Sequence, residues 1–271
     1  MTETTLNLRL EDVLATCGPA AVAVSGGVDS MTLAYVAHLV LGRDVEMFHA
    51  VSPAVPPVAT ERVRRYADQE GWTLRVLNAG EFGDERYLLN PANRCFFCKS
   101  NLYGSLSSAT DAQLLSGTNM DDLGDWRPGL QAAKDRDVRH PFVEAGLAKS
   151  DVRALARRHG LADLAELPSA PCLSSRVETG IRINADALRS IDRTESMLRD
   201  TLSPETARCR VRGNGIVIEL DQNCLDRLDA MGRAGLIEEI RQIFDGQPAA
   251  DVSFAPYQRG STFLRETLNE R

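Results

Sequence analysis

The chain has 271 residues, 43% hydrophobic and 25% charged, with a net charge of −7 and a pI near 5.2. This is ordinary globular composition, and the length suggests two domains. No apolar run approaches the roughly 18 residues that span a bilayer, and MTETTLNLRLEDV lacks the apolar core of a signal peptide, so a cytoplasmic protein with no membrane association is expected. The acidic balance argues against a broad nucleic-acid surface. A local basic pocket remains open, since arginines gather around Arg176–Arg189 and Arg208–Arg212.

The first 160 residues alternate between β-prone and helical stretches. Strands are predicted at 20–25, 45–51, 73–78 and 113–118, with a further one at 138–143. Helices are predicted at 29–41, 58–70, 96–108 and 149–160. Such alternation implies an α/β fold, a Rossmann-like doubly wound parallel sheet with ligands bound outside the carboxyl ends of its strands. Near 161–183, Pro168, Pro171 and Gly180 break the pattern and suggest an active-site loop. A smaller C-terminal α+β domain follows. It has a helix at 184–200 capped by Asn184, a hairpin at 208–220 turning on Gly213-Asn214-Gly215, a helix at 224–244 and a strand at 251–257. The expected domains are 1–165 and 166–271.

The strongest local signal is Ser25-Gly26-Gly27-Val28-Asp29-Ser30, set between a strand and a helix. The glycines let backbone N–H groups approach a ligand, and the helix N-terminus adds unpaired donors and positive dipole. Together with the two hydroxyls this is a nest for a polyphosphate. Asp29 is out of place in a bare anion site and suits Mg²⁺ bridging phosphate oxygens. The plain alternative is a strand-to-helix turn with a serine cap. The chain has no Walker lysine here, so the loop is not a P-loop. Gly117 and Thr118 end a strand where a nucleotide should lie. They are followed by Asp121, Asp122 and Asp125 with Arg127 beside them. Asp122 could share the metal with Asp29, or the acids could simply favour a helix N-terminus.

Six cysteines are present: Cys17, Cys95, Cys98, Cys172, Cys209 and Cys224. In a reducing compartment metal binding or catalysis explains them better than disulfides. Cys95 and Cys98 form Cys-x-x-Cys, which suits a redox pair, half a zinc site, part of an iron–sulfur cluster or buried helix positions. Cys172 lies in the irregular loop with Arg176 four residues on, a cation that would lower its pKa if near. Cys17, Cys209 and Cys224 read as structural. The four histidines, His38, His49, His140 and His159, show no metal-ligand spacing.

SGGVDS resembles the PP-loop of the ATP pyrophosphatase superfamily. With NRCFFCK, GTNMDDLGDWRPGLQAAKD, the VRHPFVEAGLAKSDVRALARRHGL segment, APCLSSRVETG, RCRVRGNGIVIEL and the terminal YQRGS, nearly the whole chain is similar to the LarE family of ATP-dependent sulfur transferases. The resemblance implies ATP held by Ser25, Gly26, Gly27, Val28 and Ser30 with Gly117, Thr118 and Asp122, and Mg²⁺ on Asp29. It implies adenylylation of the carboxylates of pyridinium-3,5-biscarboxylic acid mononucleotide, a small-molecule nucleotide substrate, and their replacement by sulfur in nickel-pincer cofactor biosynthesis. Sulfur would come from Cys172 itself or from a 4Fe-4S cluster held by Cys95, Cys98 and Cys172; the presence of all three cysteines resembles the cluster subtype. Arg176 and Glu195 would support chemistry, Arg208, Arg210 and Arg212 would bind the substrate's phosphate with Arg176 as a further candidate for it, and a homo-oligomer would be expected. SSRVETG and FAPYQRGS depart from the family's usual SSRIPYG and LDLEGYRSGS, which bears on the acceptor. The competing readings are a tRNA thiolase on the same fold and a nucleotide- or redox-sensing module without turnover.

Overall fold

A computed structural model describes residues 3–124, 128–245 and 251–263. The chain divides into two compact units, residues 1–84 with 93–170, and residues 85–92 with 171–271.

The first unit begins with α1 (Glu3–Ala15), then β1 (Ala20–Ala23), α2 (Val28–Leu41), β2 (Val45–Ala50), α3 (Pro57–Glu70) and β3 (Thr73–Leu77). The short α4 (Glu85–Leu88) belongs to the second unit. The chain then returns with α5 (Arg94–Ala109), β4 (Gln113–Leu115), α6 (Pro128–Lys134), α7 (Pro141–Glu144), α8 (Lys149–Arg158) and α9 (Ala162–Ala165). The four strands form one parallel sheet in the order β3-β2-β1-β4. β1 sits between two neighbours and is apolar throughout, as a strand covered on both faces must be.

Helix α2 is apolar nearly all round and buries Val28, Met31, Leu33, Ala34, Val36 and Ala37 in the main core. Helix α3 starts with Pro57, whose missing N–H costs nothing at a first helical position, and ends at a left-handed Gly71. Its buried residues Ala59, Val63, Tyr66 and Ala67 recur at helical spacing. The strand predicted at 138–143 is reduced to an isolated bridge between Leu115 and Arg139. Pro141 has no N–H for a ladder and instead opens α7. The unpredicted α1 packs against α2 through Leu10 and Leu14, both fully buried.

The second unit holds α4, a short turn at Leu173–Arg176, α10 (Ala185–Leu202), β5 (Ala207–Arg212), β6 (Gly215–Leu220), α11 (Gln222–Arg227), α12 (Ala230–Ile243) and β7 (Val252–Pro256). Its sheet runs β5-β6-β7, antiparallel between β5 and β6 and parallel between β6 and β7. Asn184 caps α10 by accepting from the N–H groups of Asp186 and Ala187 at 2.8 and 3.2 Å. The single helix predicted at 224–244 is two helices, because Asp229 accepts from Gly232 N–H at 2.7 Å and caps a new start. No described helix is long and apolar enough to cross a membrane.

Candidate functional site

In the first unit, the Ser25–Ser30 segment leaves β1 and runs into α2, with Val28, Asp29 and Ser30 as its first helical residues. Their N–H groups precede any intrahelical acceptor, so they face outward as donors. Ser30 Oγ closes the loop on itself. It accepts from Ser25 N–H at 3.0 Å, lies 3.1 Å from Ser25 Oγ and donates to Gly27 C=O at 3.2 Å. Gly26 has φ +79°, and a Cβ there would meet Ala59 C=O at 2.7 Å. Arg62 on α3 donates to Gly26 C=O at 2.7 Å. His49 Nδ1 donates to Val24 C=O and its Nε2 accepts from Thr60 Oγ1, both at 2.9 Å. Burial pushes His49 below the ordinary histidine pKa, consistent with this neutral tautomer. Helix α3 therefore clamps the loop from one side.

The other side is the segment after β4. A Cβ on Gly117 would lie 2.7 Å from Ser30 N and 2.8 Å from Asp29 C, so only glycine lets this backbone pass the start of α2. Ser116 Oγ joins Thr118 Oγ1 at 3.0 Å and His140 Nδ1 at 2.7 Å. Asn119 is 2% exposed and ties the elements together. Its side-chain amide donates to Asp29 Oδ1 at 3.2 Å, its side-chain oxygen accepts from Asp121 N–H at 3.0 Å, and its own N–H donates to Asp122 Oδ2 at 3.1 Å. Lys149, the first residue of α8, donates through Nζ to Asp29 Oδ2 and through its backbone N–H to Asp121 Oδ2 at 3.1 Å. Sequence reading missed Asn119 and Lys149; Asn119 had a signal in its place inside GTN-x-DD, whereas the contact of Lys149 with Asp29 depends on the fold. Asp125 and Arg127 lie outside the described residues.

Helix α5 carries Cys95 and Cys98, three apart and so on one face, both half-buried. Gly129 lets α6 approach this helix: a Cβ there would stand 3.0 Å from Lys99 Cγ and 3.6 Å from Cys95 C=O.

In the second unit, Cys172 is exposed, at the start of the Leu173–Arg176 turn. Beneath it Arg176 and Glu195 form an ion pair, both 3% exposed, with Nε to Oε1 at 2.9 Å and Nη2 to Oε2 at 3.0 Å. Burial opposes the Arg176 charge, but Glu195 outweighs it and raises the pKa above the ordinary arginine value. Arg176 Nη1 donates to Pro171 C=O at 2.6 Å, Ser175 Oγ at 3.0 Å and Cys172 C=O at 3.3 Å. Its guanidinium holds the Cys172 turn from below. Glu195 Oε1 also accepts from Cys209 N–H at 3.1 Å.

The hairpin sets Arg208, Arg210 and Arg212 on alternate positions of β5, hence on one face. Arg210 is turned inward, bonded to Glu219 Oε2, Ser175 C=O and Gln258 C=O at 3.0, 3.1 and 3.4 Å. Arg208 stacks over the Tyr257 ring at 5.8 Å, and burial, then the Arg176 charge, push its pKa down. Arg212 donates to Glu219 Oε1 at 3.0 Å while its Nε is buried with no partner among the described residues. Arg212 lines an open cavity of about 850 Å³ with Glu178, Asn214, Val217, Glu219 and Tyr257. The lining thus combines a guanidinium already paired with Glu219, a second carboxylate on Glu178 and an aromatic ring.

A Rossmann-like parallel sheet with a Ser-Gly-Gly loop opening onto a helix N-terminus defines a PP-loop protein. No family model matches the chain. It is 38% identical over 205 residues to an uncharacterized protein of Synechocystis sp., covering 74% of this chain and 76% of the relative. It is 30% identical over 206 residues to the pyridinium-3,5-bisthiocarboxylic acid mononucleotide synthase of Lactiplantibacillus plantarum, covering 74% of each. A third relative, an uncharacterized protein of Methanocaldococcus jannaschii, is 24% identical over 206 residues, 74% of this chain and 77% of that one. The chain belongs to the LarE family, that of the L. plantarum synthase.

Proposed function

We propose that this protein is an ATP-dependent sulfur transferase that turns a substrate carboxylate into a thiocarboxylate. The L. plantarum relative is named for a bisthiocarboxylic acid mononucleotide; carried to this chain, the acceptor is the pyridinium-3,5-biscarboxylic acid mononucleotide of nickel-pincer cofactor biosynthesis. A carboxylate oxygen attacks the α-phosphorus of ATP, and the bond to the β-phosphate oxygen breaks, so pyrophosphate leaves with the electron pair. A sulfur anion then adds at the acyl carbon, and the carbon–oxygen bond to AMP breaks.

The outward N–H groups of Val28, Asp29 and Ser30 would take the polyphosphate, Gly117 and Thr118 would flank the nucleotide, and Arg212 would take the substrate's phosphate. Arg176 and Glu195 act as positioning residues, fixing the backbone that carries Cys172. Mg²⁺, whose chemistry is to neutralise charge on the phosphates, needs only one or two protein carboxylates alongside phosphate oxygens. Asp29, with Asp122 across Asn119, fits that demand. Among the described residues, no three His, Cys, Asp or Glu side chains are grouped so that they could hold a metal ion.

One observation carries the assignment of the cysteines. The three in family motifs, Cys95, Cys98 and Cys172, are half-buried or exposed, whereas Cys17, Cys209 and Cys224 are buried. Thiolates are the protein ligands of iron–sulfur clusters, and a 4Fe-4S cluster on these three cysteines would supply a transferable sulfide. The test is anaerobic reconstitution followed by iron and acid-labile sulfide analysis of wild type and of Cys95→Ala, Cys98→Ala and Cys172→Ala, with pyrophosphate release measured in parallel. About four irons per chain, lost in each variant, is expected. Pyrophosphate release without stable iron would leave Cys172 as a sacrificial donor, and no release would refute the adenylylation.

A further inference from the structure

Helix α3 leans on Gly26 through two residues of one face. A Cβ on Gly26 would stand 2.7 Å from Ala59 C=O and 3.0 Å from Ala59 Cβ. Arg62, three residues beyond Ala59 and so on the same side of the helix, donates through Nη1 to Gly26 C=O at 2.7 Å. The peptide joining Gly26 to Gly27 is trans, so its C=O and N–H point in opposite directions. With the carbonyl taken by Arg62, the Gly27 N–H is turned away from α3. It has no acceptor among the described residues, and in sequence it precedes the outward N–H groups of Val28, Asp29 and Ser30. Ser30 Oγ donates to the next carbonyl, that of Gly27, at 3.2 Å and fixes the following peptide in the same way.

The donors that hold the loop's carbonyls differ in charge. His49, on Val24 C=O, is neutral. Arg62 is a half-buried guanidinium with no carboxylate bonded to it among the described residues. Its neighbour Arg65 is paired with Asp163 at 2.9 Å, and Lys149 is taken up by Asp29. Burial, then the Arg65 charge, pulls the Arg62 pKa down, the mark of a cation short of compensation. A charge at this depth is disfavoured until an anion approaches. A guanidinium on a carbonyl oxygen also polarises the peptide and strengthens its N–H as a donor.

We propose that Arg62 is a positioning residue for the polyphosphate: it fixes and polarises the Gly26–Gly27 peptide so that the Gly27 N–H meets phosphate oxygens, and through that peptide it supplies positive charge that Ser25–Ser30 does not carry itself. The loop contains an acid and no base, and the missing cation stands behind it on α3 and acts through one peptide unit. The inference rests on the reading of this loop as the ATP site.

The test is equilibrium binding of ATP and of inorganic pyrophosphate, each with Mg²⁺, by titration calorimetry at low and at high salt. The proteins are wild type, Arg62→Lys, Arg62→Gln and Arg62→Met, with thermal unfolding as the check that each is folded. Glutamine keeps a donor and drops the charge, and methionine drops both. Hydrogen bonds to charged groups are roughly twice as strong as neutral ones, so affinity for both ligands should fall about fivefold in Arg62→Gln and about tenfold or more in Arg62→Met. Arg62→Lys should stay within about twofold of wild type. Added salt should weaken wild-type binding more steeply than binding by Arg62→Gln, a difference that a purely structural tie would not produce. Wild-type affinity and salt dependence in Arg62→Gln would overturn the charge role. A loss in Arg62→Lys as large as in Arg62→Met would overturn it too. A wild type that binds neither ligand would overturn the ATP-site reading and this inference together.

Discussion

Replacement of Glu195 by alanine is the most informative perturbation of the second unit. Both Glu195 and Arg176 are 3% exposed, so water cannot substitute for the lost partner. Removing one member of a buried pair leaves an uncompensated charge and costs about 3–5 kcal/mol. The N–H of Cys209, fully buried, loses its acceptor at the same time, which favours the upper part of that range. At roughly 2–4 °C per kcal/mol the melting temperature should fall by roughly 6–20 °C. The double variant Arg176→Met/Glu195→Leu removes both charges and should recover most of the stability. It should not recover turnover, because the carbonyls of Pro171 and Cys172 lose the guanidinium that holds them at 2.6 and 3.3 Å. Chemical denaturation and pyrophosphate release, measured on the same three proteins, separate the two effects. Glu195→Ala within about 1 kcal/mol of wild type would refute the reasoning, since the pair would then not be dry. A fully active double variant would refute the positioning role.

Gly117→Ala forces a Cβ to within 2.7 Å of backbone at Ser30, and ATP affinity should drop at least about tenfold, read by calorimetry. Alkylation of the metal-free protein, followed by mass spectrometry, should label Cys172 first, then Cys95 and Cys98, and leave Cys17, Cys209 and Cys224 unmodified until unfolding; early labelling of Cys209 would contradict its burial. Burial lowers the pKa of His49 in the folded chain. The unfolded state therefore binds more protons below its pKa of about 6.5, and stability should fall as pH drops through that value. His49→Asn should lose less stability than wild type between pH 7.5 and 5.5, and an equal loss would place the acid sensitivity elsewhere.

Much of this arrangement could be read in advance where local chemistry decides the outcome. The alternation through β1, α2, β2, α3 and β3 was visible because each apolar run is short and each helix carries its own punctuation, Pro57 and Gly71 among them. The hairpin was visible because Gly213 and Asn214 leave few alternatives to a two-residue turn. What escaped turns either on a local backbone effect that overrides the apolar pattern or on partners distant in the chain. The strand expected at 138–143 failed at Pro141, whose ring outweighed the apolar pattern. Residues 224–244 read as one helix because nothing in the periodicity reveals that Asp229 turns back on Gly232. Asp29, Gly117 and Cys172 could be singled out by motif, but Lys149 could not. Lysines opening helices are commonplace, and only the fold brings this one to Asp29. Glu195 sits on the buried stripe of α10 between Ile191 and Leu198. An acid in that register signals a buried partner without naming it.

The eight residues 85–92 belong to the second unit although the chain on either side of them belongs to the first. Asn90 donates to the carbonyls of Val177, Glu178 and Ile181, and Ile183 N–H bonds to Leu88 C=O at 2.8 Å. Two residues after this excursion ends, the chain is in α5, and Cys95 follows at once. The second unit is thus not a cassette that a single cut could detach or a single recombination could exchange. A homologous graft would have to carry two separated pieces of gene, and the shorter one adjoins the codons of the Cys-x-x-Cys pair. The connectivity gives a reason for these two parts of the molecule to be inherited together.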